Sequence, residues 1–157
     1  TVALLKKHGA KTRKELKAEK SASRAKIKDY YLGAMKISFR ESRLSSESKR
    51  LPWTGYGVDG GYPETIVQSL EVSDVSGTYF LPADMVNDLG NPRIDHVQVR
   101  QRGKLLELSM SNSDGAGGYH VFFQVDPLEY RARRFVKMAI EDEHKETHDW
   151  TSLRKRR

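Results

Sequence analysis

The sequence predicts an α+β fold: an antiparallel sheet of about five to six strands, a C-terminal helix packed on one face, and a basic N-terminal helix or arm. Three observations predict it. Apolar residues alternate cleanly along 97–110 and 119–125, the period of half-buried strands. Asp126, Pro127 and Glu129 stand where a helix takes its N-cap, first residue and third residue, ahead of a stripe formed by Leu128, Ala132, Phe135, Val136, Ala139 and Ile140. Residues Leu4 to roughly Leu32 are rich in Ala, Lys, Glu and Arg and contain no Pro, a helix-forming composition interrupted only at Gly9.

Taken in order, that N-terminal segment has a thin apolar stripe, Leu5, Leu16 and Ile27, and thickens only at Tyr30, Tyr31 and Leu32. Such a helix buries little against its own domain and suits an arm that orders on a partner. Met35, Ile37 and Phe39 alternate with Lys36, Ser38 and Arg40 as a strand. Residues 45–63, with Pro52, Trp53, Tyr56, Tyr62 and many glycines, read as a long loop, a length that usually signals function or mobility. Ile66, Leu70 and Val72, with Gln68 on their face, mark a second strand, and Thr78 to Leu81 a third. Pro82 opens a helix with Leu81, Met85, Val86 and Leu89 on its buried side and Gly90 as its stop. A hairpin turning at Arg102-Gly103 sets Val99 against Leu106 and Val97 against Leu108. Residues 111–118 are a loop by composition, Tyr119 to Val125 a strand, and Trp150 to Arg157 a frayed tail. The resulting organisation is a basic helical arm over 1–32, a core over 33–147 and a basic tail over 148–157.

Charge sharpens this division. Of 157 residues, 28 are Lys or Arg and 21 Asp or Glu. Residues 1–50 carry a net charge of +10, residues 51–126 carry −6 and residues 127–157 carry +3. Segregated basic ends predict an acidic partner. Absence of cysteine excludes disulfides, thiolate metal sites and thiol nucleophiles. No apolar run approaches the ~20 residues of a membrane span and no secretory leader is visible, so the expected setting is intracellular or inside a virion, with no membrane partner.

The function these features favour is non-catalytic: binding nucleic acid through its phosphates, or holding a place in a nucleoprotein assembly. The candidate phosphate contacts are Lys6, Lys7, Lys11, Arg13, Lys14, Lys17, Lys20, Arg24 and Lys26 of the arm and Arg131, Arg133, Arg134 and Lys137 of the last helix. Trp53, Tyr56 and Tyr62 on the glycine-rich loop are candidates for stacking on unpaired bases, and equally for anchoring a protein interface. The alternative is a structural assembly subunit, of a virion or phage particle, whose arm docks on a neighbouring protein. A third reading is a metal-dependent nuclease or toxin-like domain. Its natural carboxylates, Asp95 and Glu107, fall on opposite faces of the predicted hairpin. His144 and His148 have the i, i+4 spacing of a helical metal pair but sit in a strongly hydrated stretch. His8, His96 and His120 stand alone. No RNP1, C2H2 or Walker A pattern and no nucleophile elbow is present, and neither a cofactor nor a metal is expected.

Overall fold

The computed structural model describes residues 12–14, 25–112 and 117–157. Their architecture is β rather than α+β. Ten strands form two antiparallel five-stranded sheets, and the described residues contain neither a packed C-terminal helix nor an N-terminal one beyond a few residues. The first sheet has the order β1-β2-β3-β4-β10, built from Lys26–Leu32, Met35–Arg43, Thr65–Asp74, Gly77–Phe80 and Arg154–Lys155. The second runs β5-β6-β7-β8-β9, from Gln98–Arg102, Leu105–Asn112, Tyr119–Asp126, Arg131–Met138 and Lys145–Ser152. Their inner faces share one core, with Ile37, Phe39, Leu70 and Val72 from the first sheet and Leu108, Val121, Phe123 and Val136 from the second.

The C-terminal helix is the largest departure. Asp126 does cap: its Oδ1 accepts hydrogen bonds from the N–H groups of Leu128 (3.1 Å) and Glu129 (3.2 Å). The cap closes a tight turn instead of opening a helix, because Tyr130 adopts a left-handed φ of 50° and sends the chain back as β8. In β8, Ala132, Arg134 and Val136 point inward, while Leu128 and Ile140, assigned to the helical stripe, are exposed. An arginine at the central inward position interrupts the apolar alternation that would have signalled a strand.

The end of the predicted N-terminal helix is likewise a strand. Residues 26–32 pair with β2 through a two-residue turn in which Gly33 takes φ +58°, a conformation that favours glycine. As an edge strand, β1 carries Lys26, Lys28 and Asp29, charges that also suit a helix surface and that blunt an open edge. Residues 1–11 and 15–24, the remainder of the predicted helix, lie outside the described residues. The expected frayed tail supplies the end of β9 and all of β10. Leu153 between them carries the chain from the second sheet to the first, where β10 pairs with β4.

Smaller corrections follow from local geometry. A bulge between Arg40 and Glu41 leaves Gln68 without a strand partner, so Val67 and Leu70 both turn inward and Gln68 is exposed. The predicted helix after Pro82 winds only as a 3-10 turn over Ala83–Met85, yet Leu81, Met85, Val86 and Leu89 are all buried. In the hairpin of β5 and β6, Val99 pairs with Leu108 and the turn is Gly103-Lys104. That register differs by two residues from the one expected, and an even slip keeps every side chain on its expected face.

Phe123 is buried in the core, whereas Phe135 lies half-buried on the outer face of the second sheet. Phe123→Ala is therefore expected to cost about 3–5 kcal/mol in urea unfolding, and Phe135→Ala less than half as much. Equal losses would contradict the strand assignment of residues 131–138.

Candidate nucleic-acid interface

The second sheet presents an outer face on which directly opposed residues form polar and aromatic rows. One row runs Arg100, Glu107, Gln124, Arg133 across β5 to β8. Arg100 Nε donates to Glu107 Oε2 (3.0 Å), Gln124 Nε2 donates to Glu107 Oε1 (3.5 Å) and Arg133 Nε donates to Gln124 Oε1 (2.6 Å). Beside it runs a row of Ser109, Phe122, Phe135 and Glu146. Beyond that, Ser111 opposes His120 and His120 opposes Lys137.

The charges on this face are layered. Side chains of Glu107 and Asp126 are 1% and 0% exposed, whereas those of Arg100, Arg102 and Lys104 are 70%, 80% and 59% exposed. Arg102 Nη1 lies 3.8 Å from Glu107, and Lys104 and Arg131 lie 3.6 and 3.7 Å from Asp126. Burial alone would raise the Asp126 carboxyl. The N–H groups of Glu129 and Leu128, with Lys104 and Arg131, outweigh it and hold the group below its usual range. Glu107 and Asp126 thus lie beneath Arg100, Arg102 and Lys104, whereas Glu129 and Glu146 reach solvent beside Arg131 (2.9 Å) and Arg133 (3.6 Å).

Aromatic rings interleave with these cations. Phe122 and Phe135 sit with ring centroids 6.0 Å apart. The Arg133 guanidinium lies 5.0 Å from the Phe135 centroid and 4.8 Å from that of Trp150, and Arg131 lies 4.7 Å from Trp150. A concavity of about 350 Å³ is lined by Arg100, His120, Phe122, Gln124, Phe135 and His144.

Of the predicted phosphate contacts, Arg131, Arg133 and Lys137 stand on this face. Arg134 does not. It is 1% exposed and points inward, where its Nη1 and Nη2 grip Asp88 (2.5 and 2.9 Å), Nη1 also donates to the Met85 carbonyl (2.7 Å) and Nε donates to Thr147 Oγ1 (2.7 Å). Arg13 and Lys14 are exposed, and Lys26 is ion-paired with Asp95. Lys6, Lys7, Lys11, Lys17, Lys20 and Arg24 lie outside the described residues. The loop aromatics are engaged elsewhere. Tyr56 packs on Tyr119 (5.7 Å), Tyr62 donates from its hydroxyl to the carbonyls of Lys49 and Leu51 (2.7 and 2.8 Å), and Trp53 lines a separate groove of about 370 Å³ with Tyr62. Sequence reasoning missed Arg100, Arg102, Phe122 and Trp150. Phe122 was detectable: it falls on the outward phase of a strand whose inward phase is Tyr119, Val121, Phe123 and Val125.

His144 and His148 are not on one helical face. His148 lies on β9 opposite Arg134, whereas His144 precedes the strand and meets His120, Nε2 to Nδ1, at 2.5 Å. Burial lowers the pKa of His120 and of His148, reinforced by His144 and Lys137 at the first and by Arg134 at the second. Asp95 is held by Lys26 and Glu107 by Arg100, and among the described residues no cluster of three or more His, Asp or Glu side chains is placed to hold a metal ion. No described helix is long and apolar enough to cross a membrane. The chain matches no known protein family, and no curated protein or solved structure shows significant similarity to it.

Two outcomes are expected. Arg134→Ala empties a buried position and removes the donor to Asp88, the Met85 carbonyl and Thr147, and should cost about 3–5 kcal/mol; Arg133→Ala, on the outer face, should cost under about 1 kcal/mol. Chemical denaturation of both variants checks this. The second outcome concerns pH. Because folding favours neutral His120 and His148, their contribution is complete above about pH 6.5 and is lost as pH falls below it. Thermal midpoints measured from pH 8 to 5 should decline below that point, and His120→Asn with His148→Asn should flatten the decline.

Proposed function

We propose that the protein binds nucleic acid without transforming it, contacting backbone phosphates through the outer face of the second sheet together with the basic N-terminal segment. The observation that carries this reading is the charge layering. Glu107 and Asp126 are buried, and the groups above them that reach solvent are Arg100, Arg102, Lys104 and Arg131. Carboxylates that fix cations from below pre-orient them for an anion and reduce the side-chain ordering that binding would otherwise require. Arg131, Arg133 and Lys137 extend the same face. The segment preceding Lys26, with Lys6 to Arg24, adds a second source of positive charge in sequence. A nuclease has less support, since Asp95 and Glu107 are each committed to a cation.

Binding of this kind releases counterions. The logarithm of the association constant for a homopolymer should fall linearly with the logarithm of salt concentration, with a slope of about −0.7 to −0.9 per phosphate contacted. Arg100→Gln combined with Arg102→Gln should weaken binding uniformly across sequences and make the slope shallower by about one to two units. Complete absence of binding at ~50 mM salt would refute the reading, because weak screening favours charge contacts. The basic segments would then serve as docking elements for an acidic protein neighbour in an assembly.

A further inference from the structure

We infer that the concavity over Phe122 and Phe135 is a subsite for an unpaired nucleobase, so that the strand bound is single. This deepens the proposed function and rests on it. The floor is apolar and aromatic, formed by two half-buried rings whose planes meet at 50°. The rim is polar. Arg100 stands at one side, His120 and His144 at another, and the volume of about 350 Å³ lies within the range of small-ligand sites. Each surrounding group has a role consistent with a nucleotide. Gln124 is spent, accepting from Arg133 and donating to Glu107, so it holds the wall rather than reading a ligand. Among the described residues Arg100 bonds through its Nε, to Glu107, and its terminal nitrogens face the rim where a phosphate would lie. His120 and His144 bring ring nitrogens, able to donate or accept, to the same cavity.

Charge complementarity selects the occupant. An aliphatic peptide side chain would satisfy the rings but gains nothing from Arg100 or the neighbouring Lys137, whereas a nucleotide carries both an aromatic face and an anion. Strandedness follows from geometry. In a duplex both faces of every internal base are covered by neighbours, so rings on a sheet can stack only on a base that is unpaired. Trp150 does not belong to this floor, because its face is occupied by Arg131 and Arg133. The loop residues Trp53 and Tyr62 line a different groove.

The test uses the whole chain and fluorescein-labelled oligonucleotides of roughly 12 nucleotides, a length within known single-strand site sizes. Oligo(dT), oligo(U) and a DNA duplex are titrated at about 100 mM salt by anisotropy. Wild-type protein should bind the single strands at least tenfold more tightly than the duplex, a comparison that needs no variant. Phe122→Leu with Phe135→Leu keeps apolar volume but removes the ring faces. It should lose at least about tenfold on single strands, as expected for lost base stacking, and several-fold less than that on the duplex. Equal wild-type affinity for single strand and duplex, or a folded double variant that binds single strands like wild type, would overturn the subsite. The proposed phosphate-binding function would survive either result. Binding of no polynucleotide at ~50 mM salt would remove both. Free dTMP is the remaining arm: half-saturation by dTMP at a lower concentration than the strand requires would overturn the strand assignment in favour of a mononucleotide site.

Discussion

The bidentate pair between Arg134 and Asp88 is the contact on which the two-sheet arrangement depends. Asp88 lies in the connection that leaves the first sheet after β4, and Arg134 sits at an inward position in the middle of β8. The same guanidinium also bonds the Met85 carbonyl and Thr147 on β9, so one side chain joins a connection and two strands. An unpaired charge at that depth would be expensive, and a fully bonded one is tolerated only with its partners in place. The glycine-rich loop closes over this cluster. Tyr56 lies 5.7 Å from the guanidinium, its N–H donates to the Asp88 carbonyl (2.8 Å), and Gly90 N–H donates back to the Tyr56 carbonyl (3.0 Å). Gly57 follows at φ +102°, where any Cβ would strike the Gly90 carbonyl at 2.2 Å. The loop is therefore part of the packing around a buried charge through Tyr56, whereas Trp53 and Tyr62 line a separate groove.

The same strands that bury this cluster display the candidate interface, because successive side chains of a strand point to opposite faces. In β8 the inward series Ala132, Arg134, Val136 alternates with the outward series Arg131, Arg133, Phe135, Lys137. Spacing along the outer face is thus fixed by the ladder that holds the core. Arg133 is tied further by Gln124 and by the rings of Phe135 and Trp150, and Arg100 by Glu107. Cations constrained in this way lose little rotamer freedom when an anion arrives, unlike lysines on a solvated helix.

Legibility in the sequence tracks how purely a segment repeats with one period. Strands β2, β4, β6 and β7 and the buried set Leu81, Met85, Val86 and Leu89 were readable because the inward residues at their centres are apolar, the buried Asn112 standing only at the end of β6. β8 was misread because Arg134 occupies an inward position and Asp126 makes a true cap that a left-handed Tyr130 then ends. β1 and β9 are edge strands, Lys-Ile-Lys-Asp-Tyr-Tyr-Leu and Lys-Glu-Thr-His-Asp-Trp-Thr-Ser, with too few apolar residues to show any period. Their identity comes from pairing with the neighbouring strands β2 and β8, which the propensity of the segment alone does not encode. The candidate interface was half legible: Arg131, Arg133 and Lys137 were named on the wrong element, whereas Arg100, Phe122 and Trp150 became associated only through register.

One consequence separates the two roles of arginine in this chain. Arg133 and Arg134 are adjacent in sequence and chemically identical, yet one faces solvent between two rings and the other is sealed against Asp88. Their difference arises wholly from strand phase. A helix would have set them about 100° apart on one exposed side, and both would then have been available to a polyanion. A strand assigns them to opposite faces, one bonded to Asp88 in the interior and one on the outer face of the sheet. Charge counted along the sequence therefore overstates the positive surface of the described residues. The surface is better measured by the cations that remain exposed once each strand's inward phase and the buried carboxylates beneath it are taken into account.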